Sequence, residues 1–279
     1  MSIIVGLGEL AAHVRDGQKV AVPSDFSGFY SGIAMEATRE LIRRGVRDLH
    51  LVALPTTGLQ ADMLLGAGCI ATLEASSVLM GEYGVPPCFA RAFQARSFRM
   101  MEATCPAIHA AFQAGEKRIP FIPLRGILGS DVVRLRTDWK VIDNPFAKDD
   151  PILLLPAINP DWTLFHAPMA DRHGNVYYGR RRELAVMAHA SSGTLATVER
   201  LYDGNLMEEP ALSCATLPSL YVNAVSVVPG GAAPYGFGDD YEEDEAAMWQ
   251  YMEAARTESG FRAYLEREVL HRADVEAAS

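Results

Sequence analysis

Three corners of the sequence combine glycine with groups able to hold an anion or a carbonyl oxygen: Ser24 to Gly32, Arg125 to Gly129 and Pro229 to Gly238. Backbone N–H groups in such turns present partial positive charge to a phosphate, carboxylate or thioester oxygen. Each glycine equally serves a turn that needs positive φ. Arg125, beside Gly126 and ahead of Gly129 and Ser130, adds a guanidinium that can clamp a carboxylate or phosphate bidentately, or pair with a neighbouring aspartate. Glu102 stands at the start of a helical pattern running to Arg118, in a stretch otherwise mostly small and apolar. There it can act as a base if desolvation raises its pKa, or simply complement the helix dipole from the first turn.

A fourth corner, in FHAPMADRHGNVYYG from Phe165 to Gly179, gathers Asp171, Arg172, His173, Gly174 and Asn175. Gly174 and Asn175 suit a tight turn between strands, and Asp171 suits hydrogen bonds to the turn's own N–H groups. No residue there has metal-ligand spacing. The seven histidines include no H-E-x-x-H pair, and Cys69, Cys88, Cys105 and Cys214 form no C-x-x-C, so no metal site is expected. The G-L-G at Gly6 to Gly8 follows no strand and lacks a third glycine; Walker and G-x-S-x-G motifs are absent.

The elements that must position these corners alternate. Val20 to Val22 read as a strand stopped by Pro23, AMEATRELIRRGV as a helix closed by Gly45, and DLHLVAL as a strand stopped by Pro55. MEATCPAIHAAFQAGEKR reads as a helix and RIPFIPL as an extended segment. PILLLPAI and DWTLFHAP read as core strands, with VYY turning back on the second. ELAVMAHASSGTLATVERL runs from helix to strand, and LYVNAVSVVPGG is a strand stopped by Pro-Gly-Gly. Strands followed by helices, with small residues where strands end, predict an α/β fold: an open, twisted, mainly parallel sheet flanked by helices. Residues 1–279 are expected to form a single domain, with an acidic helical segment over about 239–275.

The net charge of −10 opposes binding to nucleic acid, whose affinity comes from Lys and Arg neutralising phosphates. A composition of 49% hydrophobic and 22% charged residues suits a globular chain, with no eighteen-residue apolar run and no export-leader pattern at the N-terminus. The expectation is a reduced, cytoplasmic protein away from the membrane.

Three segments together resemble the α subunit of family I CoA-transferases of the glutaconate type. DRHGN matches a D-x-x-G-N signature, RIPFIPLRGILGSDV a P-F-x-P-x-R-x-x-L-G-[ST]-[DS] segment, and VPGGAAPYGFGDDYEEDE a P-G-G-A-x-P stretch near the C-terminus. The resemblance implies a NagB/RpiA/CoA-transferase-like sheet, a homologous β subunit in an αβ or α₂β₂ assembly, and coenzyme A thioesters as substrates, with no covalently bound cofactor. In that reaction a β-subunit glutamate attacks the thioester, passes through an anhydride, becomes a glutamyl-CoA thioester and hands CoA to another carboxylic acid. This chain would then contribute Phe26, Ser27, Gly28, Arg125, Gly126, Gly129 and Ser130 to substrate binding, without the nucleophile.

Where such α chains often carry G-G-[FW]-G-x-x-G-x-P, this sequence reads PSDFSGFYSGIAMEA and keeps Gly28 and Gly32. It also resembles the α subunit of steroid-ring-opening CoA-thioester hydrolases, which cleave a ring carbon-carbon bond using an α-subunit glutamate near the start of the helix before R-I-P-F. The nearest glutamate here is Glu102, while ungapped matching back from R-I-P-F puts Cys105 close to the expected place. A non-catalytic module binding acyl-CoA or sugar acids is the alternative outside enzymes.

Overall fold

The computed structural model describes residues 3–24 and 32–270. In chain order its strands are β1 (Lys19–Pro23), β2 (Leu49–Leu54), β3 (Thr56–Thr57), β4 (Ile70–Ala75), β5 (Ser77–Val78), β6 (Arg99–Glu102) and β7 (Phe121–Leu124). They continue as β8 (Lys140–Asp143), β9 (Pro151–Pro156), β10 (Trp162–Asp171), β11 (Val176–Tyr177), β12 (Gly193–Tyr202), β13 (Thr216–Leu217) and β14 (Ala224–Val227). The helices are α1 (Leu7–Ala11), α2 (Met35–Arg43), α3 (Leu59–Gly66), α4 (Pro87–Ala95), α5 (Cys105–Glu116), α6 (Asp131–Leu135), α7 (Arg182–Ala190), α8 (Glu245–Ala255) and α9 (Glu258–Leu265).

The main sheet runs β14-β12-β10-β1-β2-β4-β6 with every neighbour parallel. From β1 the chain winds outward through β2 and β4 to β6, then returns to β10 on the other side of β1 and winds outward again to β14. The order therefore reverses between β1 and β10, and the carboxyl ends diverging there define the crevice in which open α/β sheets bind ligands. β11 turns back antiparallel along the far half of β10, and β13 pairs with it.

Alternation along the strands sorts the core into two clusters. Val20, Val22, Leu49, Leu51, Leu73 and Leu195 point to the face covered by α1–α4, α8 and α9. Ala21, Val52, Leu54, Phe165, Ala196 and Val225 point to the face covered by α5 and α7. Because both faces are buried, these strands read as continuous apolar runs.

PILLLPAI does not join that sheet. It forms β9, the middle strand of a separate antiparallel sheet ordered β7-β9-β8. Leu153 and Leu155 are buried against the α5 side, while Ile152 and Leu154 line a groove on the opposite face. Pro123 lies in β7 on the sheet's edge, where a missing N–H costs no central ladder bond. The acidic segment is also divided. Phe237 and Tyr241 form an isolated bridge, and helix begins at Glu245, where Asp244 accepts the Ala247 N–H at 2.9 Å.

The DRHGN corner is a structural clasp, as its residue types imply. Asp171 is fully buried and accepts four donors: the N–H groups of His173 (2.9 Å), Asn175 (3.0 Å) and Leu206 (2.9 Å), and Asn175 Nδ2 (2.7 Å). Gly174 holds φ +87°, and a Cβ there would come 2.3 Å from Ile3 Cδ1, so both backbone and space require glycine. Among the described residues, no helix is long and apolar enough to cross a membrane, and no group of His, Cys, Asp and Glu is placed to hold a metal ion.

Candidate active site

Hydroxyls mark the strand ends along the crevice. Ser24, just past β1 and 2% exposed, places Oγ 2.6 Å from Thr56 Oγ1 beyond β2. Ser76, after β4, donates to the Pro55 carbonyl at 2.8 Å and lies 3.2 Å from Cys105 Sγ. Cys105 opens α5 behind the N-cap Thr104, with no acidic residue in the first turn. The Ser24–Thr56 pair keeps one hydroxyl proton that it does not use internally, and with the Cys105 N–H it gives this rim donors suited to a developing oxyanion.

Two of the three glycine corners meet here. Gly32 closes the Ser24–Gly32 corner, and its carbonyl accepts the His166 N–H at 2.7 Å. The Pro229–Gly238 corner folds over the same place: the Gly231 carbonyl takes the Glu36 N–H at 3.0 Å, and Tyr235 OH takes the Leu59 N–H at 3.1 Å. Phe26, Ser27 and Gly28 lie outside the described residues.

A buried network clamps the second corner to the sheet. Glu199 Oε1 accepts from His166 Nε2 (2.6 Å) and Tyr241 OH (2.8 Å), and Oε2 accepts the Gly230 N–H (2.8 Å). Burial alone would raise the Glu199 carboxyl, but the bonds from His166, Gly230 and Tyr241 outweigh it and hold the group below its usual range. Burial pushes His166 below its ordinary value against the pull of Glu199. Since a carboxylate only accepts, the neutral ring carries its proton on Nε2, leaving Nδ1 to take the Thr197 hydroxyl at 2.8 Å.

The third corner stands apart. Arg125 pairs with Asp150, whose carboxyl is held low by the Asn144 amide first and by Arg125 second. It borders a groove of about 570 Å³ on the small sheet with Phe121, Ile142 and Phe146. Gly126 and Gly129 form the turn into α6, and Ser130 Oγ is buried with no hydrogen-bond partner among the described residues. This loop reaches the crevice region through Val132, which shares a pocket with Ser76 and Glu102.

Glu102 requires a correction. It ends β6 and is exposed, two residues before the N-cap, so it does not occupy the first turn of α5. The pattern MEATCPAIHAAF conceals the break because Arg99–Glu102 form an edge strand whose polar and apolar residues also suit a helix.

The coenzyme A transferase family model matches residues 7–227. The chain belongs to the coenzyme A transferase family. Its relatives in that family include one subunit of the 3-oxoadipate CoA-transferase of Pseudomonas knackmussii, 32% identical across 91% of this chain and 88% of the relative. It is also similar to the cholesterol ring-cleaving hydrolase IpdA subunit of Rhodococcus jostii, at 28% identity across 83% of this chain and 80% of that one. Its fold matches crystalline glutaconate coenzyme A-transferase from Acidaminococcus fermentans with a TM-score of 0.84 and 23% identity, over 96% of this chain and 89% of that chain. The mainly parallel, helix-flanked sheet is thus the family's fold.

Sequence reasoning missed Ser24, Thr56 and Ser76 as one row. The available signal was their shared position, each a small polar residue within two of a strand's carboxyl end. Glu199 was invisible as a latch because its partners lie 31 to 42 positions away.

Proposed function

We propose that this chain is the α subunit of a heteromeric acyl-CoA:carboxylate CoA-transferase whose nucleophilic glutamate comes from a homologous β subunit. One observation carries the reading: among the described residues the crevice is walled by hydroxyls and backbone groups, while the carboxylates around it are paired or face solvent. Glu199 has both oxygens engaged, Glu36 is held by Arg39 and Arg43, Glu183 pairs with Arg181, and Glu102 faces solvent. None is the desolvated, unpaired carboxylate that attack on a thioester carbonyl requires.

In this reading the partner's carboxylate adds to the acyl-CoA carbonyl and expels the CoA thiolate, leaving an acyl-glutamyl anhydride. The thiolate then attacks the glutamyl carbonyl and releases the first acid, and the resulting glutamyl thioester passes CoA to a second acid. The Ser24–Thr56 pair, which uses one of its two hydroxyl protons internally, offers the other to the oxygen that becomes negative, beside the Cys105 N–H at the start of α5. The loops carrying Phe26, Ser27 and Gly28, and Arg125, Gly126, Gly129 and Ser130, hold the substrates. No covalently bound cofactor takes part, coenzyme A thioesters are substrates, and the assembly works in the cytoplasm. Hydrolytic ring opening would call for a carboxylate in the first turn of α5, where Cys105 stands instead.

The test is coexpression with the adjacent reading frame, followed by an assay of CoA exchange between thioesters and free acids. Exchange by the complex and none by the solitary chain is expected. Absence of exchange across short-chain, dicarboxylic and aromatic acids would overturn transfer. Tight acyl-CoA binding by an isolated monomer without turnover would point to a binding module.

A further inference from the structure

From the cleft beside Ser76 we infer that the acyl group is apolar at its far end, an aromatic or branched hydrocarbon rather than a second carboxylate. This rests on the transferase reading above. The cleft, about 370 Å³, opens between the carboxyl ends of β4 and β6 and the side of α4, with Phe89, Phe93, Met100 and Val132 as walls and Ser76, Ser77 and Glu102 as polar members. That volume is within the range of small-ligand sites.

Three observations identify the occupant. The cleft borders the proposed reaction crevice, because Ser76, one of its lining residues, contacts both the Pro55 carbonyl and Cys105 Sγ on the crevice rim. An acyl chain that enters past Ser76 therefore runs toward Phe89 and Phe93. These rings lie 5.8 Å apart between centroids, and Phe93 leaves 50% of its surface exposed, so an apolar guest gains aromatic surface that none of the described residues covers. Finally, the described lining contains no lysine or arginine, and its one charged group, Glu102, is negative. A distal carboxylate would lose hydration there, meet a like charge and find no counter-ion. Arg125, which holds another part of the substrate, lies outside this lining, on the separate small-sheet groove and paired with Asp150.

The complex of this chain with the neighbouring gene product tests the assignment. Titration calorimetry with phenylacetyl-CoA, glutaryl-CoA and free CoA should show phenylacetyl-CoA binding about tenfold or more tightly than glutaryl-CoA, with free CoA weaker than phenylacetyl-CoA. Phe93→Arg, which removes an apolar wall and adds a cation, should reduce that discrimination by about tenfold. Phe93→Leu should keep the order of preference. Equal or tighter binding of glutaryl-CoA, phenylacetyl-CoA binding no better than free CoA, or unchanged discrimination in Phe93→Arg would each overturn the inference. Selective binding of phenylacetyl-CoA without CoA exchange would leave the cleft assignment standing and overturn transfer, so the two failures are separable.

Discussion

Ser76 Oγ stands 3.2 Å from Cys105 Sγ, so the end of β4 and the first turn of α5 meet at a hydroxyl–thiol contact on the crevice rim. Cys105 and Cys214 are exposed, whereas Cys69 and Cys88 are buried, and burial pushes their thiols up to about 11 and about 12. N-ethylmaleimide at neutral pH should therefore modify two cysteines in the native chain and four in denaturant, as read by intact mass. Saturating acyl-CoA should slow labelling of Cys105 in the complex without slowing that of Cys214. Equal protection of both would remove Cys105 from the rim of the substrate site.

The Asp171 clasp is a matter of stability. Replacement by alanine strands two buried N–H groups, the half-buried His173 N–H and the Asn175 amide, and should cost about 2–4 kcal/mol, measured as a shift in urea midpoint. Asp171→Asn keeps one acceptor oxygen and should cost less. A loss under about 0.5 kcal/mol for the alanine variant would show that the corner relaxes without it.

The His166–Glu199 latch sets an acid limit. His166 is pushed below its ordinary 6.5, so below that pH the unfolded chain binds more protons than the folded one and stability declines. Glu199 is held below its ordinary 4.5, so its stabilising contribution is present above that value and disappears as pH drops through its lowered folded pKa. Thermal midpoints should therefore decline from pH 7 toward pH 5, more steeply for the parent than for His166→Gln. Identical slopes would assign the acid sensitivity elsewhere.

Gly231 ties that latch to the loop above it. A Cβ at this position would lie 2.7 Å from His166 Cε1 and 2.8 Å from the Val228 carbonyl. Gly231→Ala should speed amide exchange across residues 229–241 and weaken acyl-CoA binding together. Tyr241→Phe, which removes only the hydroxyl joining Glu199 to the Ala232 N–H, should produce a milder version. Unaltered exchange in both variants would refute the clamp.

Arg136 and Glu74 form a buried pair at 2.8 Å, with exposed side-chain fractions of 6% and 3%. Burial would raise Glu74, but His50 and Arg136 override it and hold the carboxyl low. Arg136→Met leaves a nearly buried carboxylate with only His50 in direct contact and Lys19 farther off, frees Asp138, and should cost about 3–5 kcal/mol in chemical denaturation. The double variant E74Q/R136M should regain more than half. Additive losses would mean that the pair is not coupled.

The alternation of strand and helix was readable because each strand end carries its own punctuation: Pro23 after Val20–Val22, Gly45 after α2, Pro55 after β2. The Asp171 turn was readable because its partners lie within four residues, apart from Leu206. What escaped depends on strand order. Leu153 and Leu155 look alike whether they enter the main sheet or a side sheet, since periodicity reports burial and not which sheet does the burying. The meeting of Gly32, His166 and Gly231 joins segments up to about 200 positions apart, a proximity created only when β10 lies beside β1. Glu102 was misplaced because four residues of edge strand are too short to show a period of two.

Between β1 and β10 the two halves of the sheet share only the pairs Val20–Trp162 and Ala21–Thr163, whereas β10 and β12 are matched at nine positions. The narrowest joint among the seven parallel strands thus lies directly beneath the binding fork. A molecule wedged into that fork spans the joint from both sides, so occupancy stiffens the sheet as a whole and registers at its outer margins, in β6 and β14, as slower opening of strands that no ligand touches.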